Sequence, residues 1–286
     1  MTASIPRVSA DDLRNRLDQV IGERSPTSNP RRLSLVEEYI EKEFKSLGLS
    51  VESDRFVYWG KSFRNIVARA GSAPRSPLII LGAHFDSVEG SPGADDNASG
   101  VAVLLEAARI LSGLRLRSQV VFCAFNLEEL NMIGSAHFAK KLKSEGASVA
   151  AMVSLEMLGY TDSRPGSQKY PMGLSWLYPD RGNFVGIVGN WRSSSLLRRF
   201  GGAMRQVKGL PVETLTVLGN GFLVPQVRLS DHAPFWDLGY PALLVTDTAF
   251  MRNPHYHGPT DTIETLNLDF MAKVCEGVVT AVINLQ

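Results

Sequence analysis

Two histidines and six carboxylates stand at recurring places in this chain: His84 and Asp86 in GAHFDSVEG, Asp95 and Asp96 in GADDNASG, Glu128 and Glu129 in NLEEL, Glu156 in SLEMLGY, and His257 in NPHYHGPTDT. Imidazoles and carboxylates without a thiolate form a borderline-hard donor set. It suits Zn²⁺ first and Mn²⁺ or Co²⁺ next, and is too rich in nitrogen for Ca²⁺ or Mg²⁺. Gathered in one place, so many acids repel one another and resist ionising unless cations offset them. Two divalent ions would suffice.

Each residue alone has an ordinary reading: a histidine at a strand end makes a hydrogen bond, and a Glu-Glu pair faces solvent. The surroundings argue otherwise. VVFCAFNLEEL sets its acids directly after an apolar run, and GADDNASG carries acids where a turn needs only Asp-Gly or Asn-Gly.

The elements that must position these residues alternate. PLIILGA, SQVVFCAF and ASVAAMVSLE read as strands buried on both faces, each delivering His or acid at its C-terminal end. Between them GVAVLLEAARILS and IGSAHFAKKLKSEG carry helical spacing. Upstream, SLVEEYIEKEFKSLGL reads as a helix opened by a Ser34–Glu37 capping box and closed by Gly48, followed by strands VESDRFVYWG and RNIVARA. Downstream come the helix SSSLLRRFGGAMRQV, the strand PALLVTD and a long final helix. Residues 161–190, rich in Gly, Pro and aromatics, read as an ordered loop excursion near the site. The expected architecture is a three-layer α/β/α single domain over 1–286 with a mixed, mostly parallel twisted sheet and an N-terminal helical segment at 1–33. In such folds ligands gather at the carboxyl ends of strands.

Composition sets the boundaries. A chain of 286 residues with 44% hydrophobic and 21% charged residues and a net charge of +1 gives no electrostatic pull toward nucleic acid or an anionic membrane. The opening MTASIPRVSADDLRNRLDQV lacks the apolar core of a secretory signal, so a cytoplasmic protein is expected. Cys123 in VVFCAF and Cys275 in FMAKVCEGVV read as buried hydrophobes rather than a disulfide.

From Ser34 onward the chain resembles the co-catalytic dizinc exopeptidases of peptidase family twenty-eight, which include bacterial leucyl aminopeptidases and, as a divergent branch, glutaminyl cyclases. The resemblance rests on GAHFDSV, GADDNASGVAVLLEAARIL, FNLEELNMIGS, SLEMLGY, SDHAPFWDLGYPALLVTDT and HYHGPTDT in that order. It implies a zinc exopeptidase-like fold and two Zn²⁺ per chain. His84 and Glu156 would bind one ion, Glu129 and His257 the other, and Asp96 both. Asp96 is preferred to Asp95 because the family's bridging acid precedes the serine of its SG, here Ser99, by three residues; the bond to Asn97 would then be cis. Glu156 stands where the aminopeptidases more often have Asp.

The resemblance also implies that Asp86 orients His84 and that Glu128 is the general base. Tyr256 matches an oxyanion-binding tyrosine of some members, Asp231 would brace the pocket or hold polar groups of the substrate, and Asp261 with Thr262 would fix the His257 loop. Ser230, Asp231 and His232 are adjacent in sequence and lack a G-x-S-x-G elbow, so they do not read as a serine-nucleophile triad.

The function expected is removal of N-terminal residues from peptides by a zinc-dependent aminopeptidase. Its partner is a peptide with a free N-terminus, not nucleic acid or membrane, and nothing in the sequence requires more than a monomer. Tyr170, Trp176, Tyr178 and Phe184 suggest an apolar pocket and a large apolar first residue. The alternatives are glutaminyl cyclase with one metal, a carboxypeptidase or aminoacylase using Arg181, Arg228 or Arg252 to hold a carboxylate, and a non-catalytic binding module.

Overall fold

The unbroken apolar runs become the middle of one sheet. In the computed structural model, which describes residues 7–71, 77–171 and 173–286, the strands are β1 (Ser50–Tyr58), β2 (Lys61–Ala70), β3 (Leu78–His84), β4 (Val120–Phe125), β5 (Val149–Glu156), β6 (Val185–Asn190), β7 (Val212–Val217) and β8 (Ala242–Thr246). Their order is β1-β2-β4-β3-β5-β8-β6-β7. The pairs β3/β4, β3/β5, β5/β8 and β6/β7 are parallel, while β1/β2, β2/β4 and β6/β8 are antiparallel. The sheet is mixed and mostly parallel, as its buried strands imply.

Helices cover both faces. One layer is formed by α1 (Ala10–Val20), α2 (Pro30–Ser46), α3 (Gly100–Ser112), α5 (Ser194–Met204) and α7 (Leu268–Leu285), whose apolar faces join one continuous core. Opposite lie α4 (Ile133–Ser144) and the short α6 (Ala233–Asp237), carrying Phe138, Phe235 and Trp236 into a second core. Cys275 belongs to the first core and Cys123 to the second, on opposite faces of the sheet, and both are free. No helix among the described residues is long and apolar enough to cross a membrane.

Three expectations change. The helix α2 begins at Pro30, four residues before Ser34: Asn29 caps it by accepting from the Arg32 N–H at 3.2 Å, and proline's fixed φ suits the first helical position. Glu37 pairs instead with Arg64 at 2.6 Å. The excursion ends at Phe184, because its last six residues are β6, buried between β7 and β8. Strand β7 carries no strong sequence signal: four of its six residues are not buried, as befits an edge. The N-terminal segment holds α1 and the start of α2, with residues 1–6 outside the described residues.

Candidate metal centre and active site

Three neighbouring strands end together. β3 ends on His84, β4 leads into Glu128 and Glu129, and β5 ends on Glu156. The turns that aim these side chains take left-handed backbone at non-glycine residues: Leu127 (φ 59°), Met157 (φ 46°) and His257 itself (φ 56°). Such conformations persist only where surrounding contacts enforce them.

His84 is buried, with Nδ1 3.2 Å from the Asp86 main-chain oxygen. A carbonyl can only accept, so Nδ1 carries a proton and Nε2 is the nitrogen turned outward. Nε2 faces Asp96 Oδ1 and Glu156 Oε1, each at 3.3 Å. Burial opposes a charged ring, but Glu156, Glu128, Asp86 and Asp96 raise the imidazole well above its ordinary value, so this point calls for a cation: a proton on Nε2, or a metal ion that takes its lone pair. Asp96 turns its other oxygen to His257 Nε2 at 3.1 Å, and His257 lies 3.2 Å from Glu129 Oε2. The donor atoms of His84, Asp96 and Glu156 lie within 4.8 Å of one another, as do those of Asp96, Glu129 and His257. Glu129 Oε1 is buried without a hydrogen-bond partner. Both sets fit a divalent ion of the zinc type in residue class, and the second also in its unanswered Glu129 oxygen.

The charges are correspondingly perturbed. Burial pushes Glu128 well above the ordinary carboxylate range, and Glu129 to about 7, with neighbouring acids adding to each. Burial opposes the charged form of His257, but hydrogen bonds to Asp96 and Glu129 dominate and raise it to about 10. Burial would also raise Asp96, yet His257 and His84 hold it low.

Around these groups is a scaffold of buried polar contacts. Asp86 accepts from the main-chain N–H groups of Glu128 (3.1 Å) and Glu129 (3.2 Å), while its carboxylate stays 3.5 Å from His84 Nδ1. Its carboxylate thus fixes the acidic turn, and its carbonyl fixes the histidine. The Asp96–Asn97 peptide is cis. Asn97 ties this turn to β5 through Leu155 O (2.9 Å) and the Met157 N–H (3.0 Å). Asp95 accepts from the Gly159 N–H and from Asn253, which leaves Asp96 as the acid facing both histidines. Asp261 accepts from the N–H groups of Asp95 (2.9 Å) and Asp96 (3.1 Å), so it fixes this turn as well as its own loop.

The remaining sequence candidates separate. Glu128 lines the cavity, its Oε2 3.9 Å from His84 Nε2. Tyr256 also lines it, stacked on the His257 ring with centroids 3.8 Å apart. Asp231 does not reach the cavity: it is fully buried, and neither carboxylate oxygen has a hydrogen-bond partner. Of the two roles expected for it, bracing the pocket and holding polar groups of the substrate, this burial is compatible with the first. Ser230, set aside as a nucleophile, donates to Glu156 Oε2 at 2.8 Å and fixes that carboxylate. Arg24, unremarked in the sequence, is fully buried and donates to the carbonyls of Val20, Gly22, Phe85, Pro92 and Gly93. Nothing local in its sequence signals this role.

Beside the acids opens a cavity of about 380 Å³, lined by Asp96, Glu128, Glu129, Glu156 and His257 at one end and by apolar side chains along its length. No Lys or Arg lines it among the described residues. Arg228 is held by Asn220 O and Asp237, Arg252 by Gln168 and Phe184 O, and Arg181 by Ser163 O.

The chain is similar to known proteins in sequence and in fold. The chain is 41% identical over 282 residues to the uncharacterized protein YfbL of Escherichia coli (strain K12), covering 94% of this chain and 85% of that one. It is 27% identical to a probable leucine aminopeptidase of Arthroderma otae, covering 83% of this chain but only 62% of the relative's length. Among solved structures, the LapA aminopeptidase of Legionella pneumophila shares its fold with a TM-score of 0.78 at 21% identity, over 97% of this chain and 72% of that one. A glutaminyl cyclase of Porphyromonas gingivalis shares it with a TM-score of 0.70 at 20% identity, over 98% and 99%. The model of Peptidase family M28 matches residues 65–282, a span that holds all eight residues gathered from the strand ends. This chain belongs to peptidase family M28.

Proposed function

We propose that this chain is an aminopeptidase dependent on two zinc ions, with His84 and Glu156 holding one, Glu129 and His257 the other, and Asp96 shared. The observation that carries this reading is one cavity with two donor sets meeting at Asp96 and no basic side chain on its described walls. An anionic, metal-holding pocket suits a substrate end that brings positive charge, and a free α-amine does so. The carboxypeptidase and aminoacylase alternatives need a cation beside the metals, and the three arginines offered for that task are engaged elsewhere. Two complete donor sets favour the peptidase over a cyclase working with one metal.

When bound, the ions act as Lewis acids that polarise the scissile carbonyl and make water nucleophilic near neutral pH. Glu128, held at its N–H by Asp86 and facing the cavity, takes the proton of the attacking water and delivers it to the departing amine. Asp86 keeps Glu128 and Glu129 in register with His84, and Ser230 keeps Glu156 turned toward Asp96. Tyr256 is a neutral phenol, its pKa raised by burial and by the neighbouring acids, so it donates a hydrogen bond to the oxygen that gains charge.

The test compares a leucyl chromogenic amide with its N-acetylated twin on zinc-loaded and chelated protein. Cleavage of the free-amine substrate alone, lost on chelation, supports the reading. Cleavage of neither, with cyclisation of an N-terminal glutamine peptide and about one zinc per chain, overturns it in favour of the cyclase.

A further inference from the structure

The cavity has a second end. Its floor is one face of the sheet, and the register there is continuous: Glu156 pairs with Thr246, Thr246 with Gly186, and Gly186 with Glu213. In-register neighbours point to the same face. Glu213 therefore stands three strands from Glu156 on the same face, about 14 Å away at ordinary strand spacing. The row beside it, Leu244, Val188 and Leu215, is apolar. Both rows line the cavity.

Gly186 leaves the middle of the first row bare. A Cβ there would meet nothing nearer than Thr246 O at 3.4 Å, an ordinary contact, so packing does not demand the glycine. Its absent side chain gives the cavity length. Tyr170, Leu174, Tyr178 and Phe184 wall this stretch. Glu213 is half-buried at its far end. The nearest arginine along the chain, Arg205, binds Val212 O and Thr214 Oγ1. Alternation along β7 turns Thr214 to the face opposite Glu213, so this guanidinium does not answer the carboxylate. The acids at the near end have the metals to offset them, whereas Glu213 has no cation in the described wall.

The geometry points to Glu213 as the residue that selects the substrate's first side chain: an aliphatic stem ending in a cation, as in lysine or arginine. This inference rests on the aminopeptidase reading above. The α-amine lies among the acids at one end, the stem runs over Leu244 and Val188, and the terminal ammonium or guanidinium meets Glu213. The aromatic walls, which by themselves suggest an apolar first residue, serve the stem.

Two measurements on zinc-loaded protein test it. In kcat/KM for Lys, Arg and Leu 4-nitroanilides, Glu213→Gln should lower the Lys and Arg values about tenfold, the worth of one charge-assisted contact, and leave Leu within about twofold. The retained Leu rate also reports that the variant folds. Glu213→Asp, which withdraws the carboxylate by one methylene, should shift preference from Lys toward the longer Arg. Equal changes for all three substrates, or none, overturn the assignment. The second measurement is calorimetric titration of L-lysine and L-norleucine, which differ at the terminal amine. Tighter lysine binding, lost in Glu213→Gln, upholds the selector even if no amide is cleaved and the peptidase reading falls. Equal binding of the two overturns it.

Discussion

At the scale of single residues, the centre depends on acceptors that face one another. His84, Asp96, Glu129, Glu156 and His257 converge because each ends or follows a strand, and Glu128 stands beside them through an adjacent peptide. Replacing Glu128 with Gln keeps its size but removes the proposed base. Turnover should fall about 10²–10⁴-fold with zinc content unchanged. Elemental analysis of the variant beside its kcat decides this, and full turnover with full zinc would remove Glu128 from the chemistry. Most of these residues were legible because a carboxylate after an apolar run is out of place locally. The full burial of Ser230, Asp231 and His232 together is what no local pattern encodes.

At the scale of elements, the turn after β3 is held from behind by the segment joining α1 to α2. Arg24 lies in that segment, and its guanidinium binds Phe85 O at 2.7 Å, Pro92 O at 2.8 Å and Gly93 O at 2.9 Å. The loop from His84 to Asp96 therefore closes around a buried cation. Arg24→Met should leave these carbonyls unanswered and destabilise the protein by about 3 kcal/mol or more, read as a lower urea midpoint. Zinc content should fall with it, since Asp96 follows directly on this loop. An unchanged midpoint and full zinc would show that the clamp is dispensable. A second close approach underlies the same region: a Cβ at Gly100 would lie 2.4 Å from Leu155 O, so only glycine lets α3 start against β5.

At the scale of the molecule, stability should depend on pH through His232. Its Nε2–H donates to Val227 O at 2.8 Å, its Nδ1 is buried without a partner, and its ring meets Trp236 edge-on at 4.3 Å. Burial lowers its pKa from 6.5 to about 3, so the folded protein holds it neutral while the unfolded chain protonates it first. The sign follows: its contribution is complete above about 6.5 and is lost progressively as pH falls toward about 3. Asp231 next to it, raised by burial to about 7, acts in the opposite sense in wild type and variant alike. The informative quantity is thus a difference. Between pH 7.5 and 5, wild-type unfolding free energy should decline relative to His232→Gln with the slope of one proton, about 1.4 kcal/mol per pH unit well below 6.5. Parallel curves would show that His232 protonates equally in both states.

The sequence by itself determined what local patterns carry. Apolar runs of strand length placed β3, β4, β5 and β8, and acids directly after three of them marked the centre. The ordered motifs identified the family because they record the same local solutions. Tertiary structure alone decided the rest. β7 is a half-exposed edge strand with a weak pattern, and it is its pairing with β6 that brings Glu213 into the row of Glu156. Arg24 is a clamp only because a turn more than 60 residues away presents its carbonyls to it. Whether a side chain faces the cavity, the core or the opposite layer depends on sheet order and register. Both are set by contacts distant in sequence, so no window of residues contains them.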